Sequence, residues 1–397
     1  MASVAPMGGR PGRSGGGAAG RSLLMLALAL GLVLAGCSSS GHNGAAPASS
    51  TSSSGSGATG HAAKARLTLP AGCDGGDPAP GAVVAFAAGG RSWAVSPDVP
   101  ASLHCLFPTP DAGLFSFGPL GDRVALPGLE VRGVGSTASR PRSDVRPVYY
   151  SWSRPTGTTV VFTDGARHRL ARADLGQAAT RDITPLPDAT YADVAYHPSG
   201  LAIGFVVEPA GGDEIWMATN QGQNPRRLVK GAAGARFGHI VFAHDGLGLY
   251  YSVDRADGTH GLARYDLPSG GIAPALWTGS DQVDDIVELA GTKGVALTVG
   301  SGCAAHRALL APLDGTSGLP LSTGSGAPTT VVGRLDQNRF LVATGGCDAP
   351  SDLSVVDATA ATPPVLLVTG VDAATLRQPE PTPPPPLPVN LPRAAVA

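Results

Sequence analysis

Short runs of hydrophobic residues recur along much of the chain, and each run ends at Gly, Pro, Asp, Asn or Ser. The runs are rich in β-branched and aromatic residues, which is typical of short β-strands bounded by tight turns. The Gly and Pro residues between the runs would break helices, so helical repeats are disfavoured. The pattern therefore predicts an all-β chain.

The predicted strands follow a repeat. Three segments share a strand, a turn, a second strand, a loop and a third strand that ends on Asp or Asn. Their turns end at Gly157, Gly200 and Gly246, their third strands end at Asp174, Asn220 and Asp266, and two weaker copies turn near Gly294 and Asn338 and reach Asp314 and Asp357. Successive turns are 43, 46, 48 and 44 residues apart, and successive third strands are 46, 46, 48 and 43 apart. Such a period, with several short strands per repeat, predicts the blades of a β-propeller.

The turns also carry a family motif. W-S-x-P-x-G at Trp152 to Gly157, H-P-S-G at His197 to Gly200 and H-D-G at His244 to Gly246 resemble the W-S-P-D-G hairpin of TolB-like β-propellers. The resemblance covers Arg146 to Gly370. The motif is structural, because its Gly supplies a turn residue with positive φ and its Asp or Ser bonds the turn backbone. It implies four-stranded antiparallel blades and says little about chemistry.

The number of blades depends on the segment before these repeats. Gly81 to Val145 contains strand-like runs at Val83 to Phe86, Ser92 to Val95, Leu114 to Phe117 and Val124 to Leu126. Its 65 residues are too few for two blades at this period, so one irregular blade is predicted there. The expected fold is a six-bladed propeller, with seven blades as the alternative.

The start of the chain predicts export. Three arginines and no acidic residue precede an apolar run, Leu23 to Ala35, which has signal-peptide length and is too short to span a bilayer. The run leads into Leu-Ala-Gly-Cys, which resembles a bacterial lipobox and implies cleavage before Cys37 and lipidation of that residue. An ordinary secretory signal with a chance cysteine is the alternative. We expect residues 1–36 to be removed and the protein to be anchored on the extracytoplasmic face of the cell membrane.

Composition divides the remaining chain. Residues 37–66 are the lipidated cysteine and a flexible tether of Ser, Gly and Ala, residues 67–378 the propeller, and residues 379–397 a Pro-rich disordered tail. The tail contains Pro383 to Pro386 and is expected to be extended. A solvated spacer is the favoured role for it, and a Pro-rich ligand for a partner is the alternative.

Four cysteines fall inside the predicted propeller: Cys73, Cys105, Cys303 and Cys347. Disulfides persist in the oxidising environment that an exported chain enters. Four cysteines allow three pairings. Proximity in sequence favours Cys73 with Cys105 and Cys303 with Cys347. Cys303 and Cys347 also lie nine residues after Gly294 and Asn338, so both fall in the loop between the second and third strands of neighbouring blades. Their spacing does not suggest a zinc site.

Charge and motifs exclude several functions. A formal net charge of −2 argues against a nucleic-acid surface. The chain has no GxxxxGK[ST] and no HExxH, and its one GxSxG match lies in the predicted signal peptide without a strand or helix around it. Propellers of this kind also cap prolyl-peptidase-like hydrolases, but only 27 residues follow Gly370, so no hydrolase domain is expected there.

Ligands of propellers usually meet loops at the mouth of the central channel. On the face that carries the connections between blades, the candidate binding residues are Arg146, Tyr149, Asp188, Tyr191, Asp193, Arg236, His239, Asp281, Asp284 and Asp285. Asp284 and Asp285 are suited to binding Ca²⁺ through oxygen atoms, although a solvated acidic loop is favoured. His239 is a candidate general base. His197 and His244, on the opposite face, are expected to be turn or surface residues.

Two functions are compatible with these residues. The favoured function is a non-catalytic binding module whose partner is another envelope protein or a glycan or peptide ligand. The alternative is a propeller hydrolase or lyase that uses Asp188, Asp193, His239 and Asp284. Three or more of these groups converging at a channel mouth, with shifted pKa values, would favour the enzyme.

Overall fold

The structure is a computed structural model of the chain. It describes residues 65–73, 83–108, 116–118, 123–126, 130–133, 139–140, 147–153, 157–164, 169–174, 180–186, 188–288, 294–313, 318–345, 349–377 and 395–396. Cys37, Arg146 and Cys347 lie outside these described residues. No helix in the described part is long and apolar enough to cross a membrane.

Strands account for nearly all of the regular structure, as the hydrophobic pattern predicts. In chain order they are β1 (Val84–Ala88), β2 (Arg91–Ser96), β3 (Val99–Pro108), β4 (Ser116–Phe117), β5 (Arg123–Leu126), β6 (Glu130–Gly133), β7 (Ser139–Arg140), β8 (Pro147–Trp152), β9 (Thr159–Asp164), β10 (Arg169–Asp174), β11 (Thr180–Asp182), β12 (Tyr191–Tyr196), β13 (Ala202–Val207), β14 (Glu214–Thr219), β15 (Arg226–Lys230), β16 (Arg236–Phe242), β17 (Gly248–Asp254), β18 (His260–Asp266), β19 (Trp277–Gly279), β20 (Gln282–Glu288), β21 (Gly294–Gly300), β22 (Arg307–Pro312), β23 (Leu319–Pro320), β24 (Thr329–Arg334), β25 (Arg339–Thr344), β26 (Ser351–Asp357), β27 (Val365–Leu376) and β28 (Ala395–Val396). A single helical turn, Cys303–Ala305, is found in the described part.

The strands pair in antiparallel groups of four, which confirms the predicted blade architecture. Unit 2 is β4–β7, unit 3 is β8–β11, unit 4 is β12–β15, unit 5 is β16–β19 and unit 6 is β20–β23. A seven-stranded sheet joins β24–β27 to β1–β3. Within it, β27 pairs with β26 through residues 365–371 and with β1 through residues 371–376. We name β24–β27 unit 7, and β1–β3 with the second half of β27 unit 1.

The predicted count of six blades is not confirmed, because the described strands form seven groups of four when β27 is counted in both of its sheets. A count of six requires the segment before Val145 to supply every strand of its own blades. Instead, β27 lends a strand to β1–β3, and the strands of unit 2 are only two to four residues long. The strand order thus favours the seven-bladed alternative.

The first strands of the units pack side by side. β12 packs against β8 and β16, β20 packs against β16 and β24, and β4 packs against β27. The indole of Trp152 in β8 donates to Ser116 Oγ in β4 at 3.0 Å. Gly333 in β24 lies so close to Leu376 in β27 that a Cβ there would be 2.9 Å from the leucine side chain. These contacts link the first strands in a closed circle.

The hydrophobic core lies between successive units. One cluster joins Val206 and Ile215 of unit 4 to Phe237, Phe242 and other residues of unit 5. Because both faces of each second strand are covered, β9 and β13 are buried throughout their length. This explains why these strands read as continuous apolar runs instead of alternating ones.

The hairpin motif behaves as predicted. Gly157, Gly200 and Gly246 have φ values of 57°, 72° and 70°, a region that favours glycine. Ser199 Oγ accepts a hydrogen bond from the Leu201 N–H at 3.2 Å, and Asp245 Oδ1 accepts one from the Leu247 N–H at 2.8 Å. The polar residue of the motif therefore holds the turn.

One disulfide is described in full. Cys73 and Cys105 are bonded, with a Cα–Cα distance of 5.3 Å, as predicted. Cys303 is also disulfide-bonded and lies in the loop between β21 and β22, where the blade alignment places it. Its predicted partner, Cys347, lies outside the described residues.

Both ends of the propeller differ slightly from the predicted boundaries. The backbone N–H groups of Arg66 and Leu67 donate to the carbonyl oxygens of Leu366 and Leu367, so pairing begins within the predicted tether. Ala395–Val396, in the tail predicted to be disordered, forms β28 and pairs with β15. Residues 378–394 lie outside the described part.

Candidate functional site

Four first strands place a side chain at the same register. In each of these strands, one candidate residue lies three positions before the last residue that pairs with the second strand. These residues are Tyr149, Asp193, His239 and Asp285. All four were among the residues predicted from the sequence, and we call them the mouth row. Asp193 and His239 lie within a β-bulge of their strand, whereas Tyr149 and Asp285 directly follow one. A bulge bends the strand and re-aims its side chains, which is why such irregularities are common beside functional sites.

Contacts within the mouth row span more than one unit. The rings of Tyr149 in unit 3 and His239 in unit 5 meet edge to face, with centroids 6.0 Å apart and planes at 82°. The intervening strand, β12, carries Asp193. His239 has a φ of 37°, an uncommon conformation for a residue other than Gly. The bulge thus brings the imidazole towards a residue two units away.

Asp193 is buried, with 1% of its surface exposed. Its Oδ1 accepts a hydrogen bond from the N–H of Val194 at 2.7 Å, and its Oδ2 accepts one from the N–H of Ile240 at 2.8 Å. Ile240 follows His239 in the next unit. The carboxylate therefore joins β12 to β16.

Asp285 differs from Asp193 in that its carboxyl group has a raised pKa. Burial raises its pKa to about 8, a hydrogen bond from the Ile286 N–H opposes the rise, and the nearby carboxylates of Asp193 and Asp284 add to it. Burial also raises the pKa of Tyr150 in β8, and Asp285 contributes to that rise. Because these groups belong to units 3, 4 and 6, their side chains influence one another across the circle of first strands. At neutral pH Asp285 is mainly protonated and able to donate.

Asp284 and Asp285 were interpreted as a solvated acidic loop, with Ca²⁺ binding as the alternative. Both lie in β20 instead, and Asp284 Oδ2 is 2.8 Å from Nε2 of His306. Among the described residues, no group of three or more His, Cys, Asp or Glu side chains is arranged to hold a metal ion. The paired acids are thus half-buried strand residues with different partners.

Salt bridges connect other predicted residues to partners that the sequence did not indicate. Arg236 Nη1 lies 2.7 Å from Oδ1 of Asp213, a buried carboxylate that also accepts from the Phe237 N–H at 2.9 Å. Burial raises the pKa of Asp213, although these two bonds oppose the rise. Asp281 is paired with Arg307. These pairs hold the loops of units 4, 5 and 6 around the mouth row.

Two candidates lie at the start of unit 4: Asp188 precedes β12, and Tyr191 is the first residue of β12. Asp188 is exposed and has a φ of 64°. Tyr191 is buried. Its hydroxyl donates a hydrogen bond to the carbonyl oxygen of Leu186 and accepts one from the Leu186 N–H, each at 2.8 Å. Burial raises the pKa of Tyr191 to about 12. Tyr191 therefore fastens the loop that presents Asp188.

His306 and Arg307 were missed by sequence reasoning. They follow the Cys303–Ala305 turn: His306 ends the loop between β21 and β22, and Arg307 begins β22. The blade alignment had already placed this loop on the same face. The position of Cys303 in this loop was the sequence signal that could have drawn attention to His306 and Arg307.

On the opposite face, His197 begins the hairpin turn, as predicted, and its carbonyl oxygen accepts a hydrogen bond from the Gly200 N–H at 2.8 Å. Its side chain is completely buried and so does not lie on the surface. Its Nε2 donates to the Gly246 carbonyl of unit 5 at 2.9 Å, and Nδ1 accepts from the Ser199 N–H at 3.1 Å.

Comparisons with known proteins support the fold. No family model and no curated protein matches the chain. Prolyl oligopeptidase B from Galerina marginata is similar in structure, with a TM-score of 0.50 and 14% identity over 74% of this chain and 52% of that one. TolB from Acinetobacter baumannii has a TM-score of 0.42 and 14% identity over 75% and 66% of the two chains. A chain of the nidogen/laminin complex has a TM-score of 0.46 and 12% identity over 75% and 99%.

These likenesses concern the fold alone. The chain spans about half the length of the prolyl oligopeptidase that it matches. The four-stranded units and the likeness to prolyl oligopeptidase B together show a β-propeller architecture. The chain is therefore a β-propeller protein.

Proposed function

We propose that this protein is a membrane-anchored extracytoplasmic lipoprotein whose propeller binds another envelope protein, or a glycan or peptide, at the face that carries the mouth row. The carrying observation is that equivalent positions on four successive first strands hold Tyr149, Asp193, His239 and Asp285. Asp193 is buried, and the other three are partly exposed. A ring of rigid strands that presents diverse polar and aromatic side chains is a common form of binding site.

The surrounding loops favour recognition because they are held in place before any ligand arrives. Asp284 with His306 and Arg236 with Asp213 form pairs at 2.8 and 2.7 Å. Preorganised side chains lose less conformational freedom on binding, which improves affinity. Asp188, exposed beside this face, is available to contact a partner.

The binding part of the proposal is tested by reversing one charge on each face. Asp188→Arg changes the proposed face, and Asp245→Arg makes the same charge change at an exposed hairpin on the opposite face. Each full-length variant would be crosslinked in intact envelopes and its partners quantified by mass spectrometry. We expect Asp188→Arg to lower recovery of the specific partners at least fivefold and Asp245→Arg to leave it unchanged. Equal recovery by both variants would reject this face.

The anchor is tested separately. Cells that express the wild type, Cys37→Ser or the neighbouring control Ser39→Ala would be fed an alkyne fatty acid. We expect labelling and membrane association of the wild type and of Ser39→Ala, and loss of both in Cys37→Ser, because the acyl chains supply the membrane affinity. Persistent labelling of Cys37→Ser would contradict lipidation at this residue.

A second candidate function, a hydrolase or lyase, is favoured by one observation. Asp285 has a pKa of about 8 and lies near the Asp193 carboxylate, and two carboxyl groups in different protonation states are a recurring feature of acid–base catalysis. Purified wild type would be assayed against pools of envelope glycans and peptides. Turnover that falls at least 100-fold in Asp285→Asn supports the enzyme, whereas binding without turnover supports the first proposal.

A further inference from the structure

Residues 65–73 lie at the seam where unit 7 meets unit 1, and we call this segment the clasp. Strand β27 joins the two units there, because its first half pairs with β26 and its second half with β1. The N–H groups of Arg66 and Leu67 donate to the carbonyl oxygens of Leu366 and Leu367 at 3.0 and 2.8 Å. Backbone hydrogen bonds therefore hold the start of the clasp on the first half of β27.

The clasp also contributes to the core of the seam. Its side chains alternate in exposure, because Leu67 is buried, Thr68 is exposed and Leu69 is half-buried. Leu67 belongs to a hydrophobic cluster that includes Trp93 of unit 1 and Leu341 of unit 7, and Leu69 packs against the same cluster. The clasp thus places apolar side chains in a core that both units share.

A disulfide fixes the far end of the clasp to unit 1. Cys73 is bonded to Cys105 in β3, the outer strand of that unit. Another link between the two units is the ion pair of Arg339 with Asp98, whose side chains are 36% and 60% exposed. Exposed ion pairs contribute little to stability. The clasp, in contrast, is hydrogen-bonded to unit 7 and covalently bonded to unit 1.

The two cysteines of this disulfide differ in exposure. Cys105 is buried, with 7% of its surface exposed, whereas Cys73 is half-buried. A thiolate reduces a disulfide by attacking one of its sulfur atoms, and the rate depends on access to that atom. Cys73 Sγ is therefore the expected point of attack, with Cys105 as the leaving group.

We propose that the clasp is a redox-sensitive latch on the seam and that Cys73 is the site at which a low-molecular-weight thiol exchanges with its disulfide. The attacking thiolate bonds to Cys73 Sγ, the Cys73–Cys105 bond breaks, and Cys105 Sγ leaves as a thiolate that takes up a proton. A second thiolate attacks the sulfur of the bound thiol, which frees Cys73 and forms the oxidised dimer of the thiol. The two thiols thereby supply the two electrons that reduce the cysteine pair.

Reduction loosens the clasp because its covalent link to unit 1 is lost. The two hydrogen bonds to β27 and the burial of Leu67 remain, and so few contacts allow a segment to open more often. Opening removes Leu67 from the core of the seam. The proposal is independent of the function proposed for the mouth row and of the membrane anchor.

The site of exchange is tested with glutathione as the thiol. The full chain carrying Cys37→Ser would be treated with glutathione, quenched by alkylation and mapped by non-reduced peptide analysis. We expect the glutathione adduct at least tenfold more often on Cys73 than on Cys105. Equal amounts on both, or no reaction under conditions that reduce the unfolded chain, would overturn the proposal.

The protective role of the clasp is tested by two neighbouring substitutions that keep the disulfide. Leu67→Ala removes a buried side chain of the clasp, and Thr68→Ala is the matched control at an exposed position. The rate at which dithiothreitol reduces the Cys73–Cys105 bond would be measured by quenched alkylation and mass spectrometry. We expect reduction at least threefold faster in Leu67→Ala and unchanged in Thr68→Ala. Equal rates in the two variants would show that the clasp is not a latch.

Hydrogen exchange measures the opening itself. In the full chain with Cys73→Ala and Cys105→Ala, we expect exchange in residues 65–69 to accelerate at least tenfold. Unchanged exchange in residues 202–207 of β13 shows that the propeller is folded. Unchanged exchange in residues 65–69 would show that the disulfide does not hold the clasp. If β13 also exchanges faster, the comparison of Leu67→Ala with Thr68→Ala decides.

Discussion

The starts of β12 and β20 carry the same residue type at the same register, yet the two aspartates differ in role. Asp193 in β12 accepts backbone hydrogen bonds from Val194 and from Ile240 of the next unit. Asp285 in β20 accepts from Ile286, and its pKa is raised to about 8. One carboxylate joins two units, whereas the other is held mainly protonated among acidic neighbours.

The two aspartates differ because the next unit donates a backbone N–H to Asp193, whereas the donor in the unit after β20 is bound by a different residue. Between units 6 and 7 a backbone link at a similar place is made by Thr298, whose Oγ1 accepts from the Val331 N–H at 3.0 Å. A threonine hydroxyl thus makes a link that resembles the one made by Asp193 between units 4 and 5. The role of a repeated position therefore depends on which backbone N–H groups of the adjacent unit lie within hydrogen-bonding distance of its side chain.

The largest effect is expected from Asp193→Ala. The substitution leaves the buried N–H groups of Val194 and Ile240 without their acceptor, which should cost about 3 kcal/mol of unfolding free energy. Urea denaturation of the purified protein measures it. Asp193→Asn, which keeps one carbonyl oxygen, should lose less. Asp285→Ala at pH 6 removes the acceptor of one backbone N–H instead of two and should lose about 1.5 kcal/mol. Equal losses at both aspartates would remove the distinction between them.

His197 tests the other end of β12. His197→Ala removes the buried link to Gly246 of unit 5 and leaves a cavity, so we expect a loss of about 2 kcal/mol. Burial lowers the pKa of His197, so the unfolded chain takes up a proton first and stability falls as pH drops below about 6.5. This acid-side loss should shrink in the variant. A control, Ser199→Ala, keeps the Gly246 bond and should lose less.

Asp285→Asn should change the pH dependence of stability. The folded pKa is raised to about 8, so the stability associated with Asp285 is present below its unfolded pKa and is lost as pH rises through about 8. An uncharged amide lacks this loss, so at pH 9 we expect the variant to be more stable than the wild type by about 2 kcal/mol. Thermal and urea unfolding at pH 5, 7 and 9 give the comparison, and parallel pH curves for both proteins would contradict it.

The smallest effect concerns the backbone at His239. Its φ of 37° costs less for glycine than for a residue with a Cβ. His239→Gly and His239→Ala both remove the ring contact with Tyr149, so their difference isolates the backbone contribution. We expect the glycine variant to be the more stable of the two by about 1 kcal/mol in urea denaturation. A more stable alanine variant would show that the bulge does not require this conformation.

Much of the fold could be predicted because the turns and strand ends of each repeat depend on residues that are close together in the sequence. The turns at Gly157, Gly200 and Gly246 have the expected positive φ values, and the third strand β26 ends on Asp357 as predicted. The predicted six blades are not confirmed, because β27 pairs in two groups of strands. No residue within the first segment indicates a strand that comes from almost 300 positions later.

The candidate site was predicted less completely. The blade offsets identified Tyr149, Asp193, His239 and Asp285, but they did not reveal that these four occupy one register, because the bulges add a residue to each first strand. Partners such as Asp213 and His306 lie 23 and 22 positions from the groups they bind, beyond the reach of a local motif.

The amino-acid sequence by itself determined the period, the hairpin turns and the favoured Cys73–Cys105 pairing, since each depends on conformational preferences or proximity within a short stretch of chain. Only the tertiary structure decided which aspartate joins two units, which one is protonated and which sheet edge receives β28. Burial, charge–charge interactions and strand pairing depend on groups that are distant in sequence and become neighbours only when the units pack together.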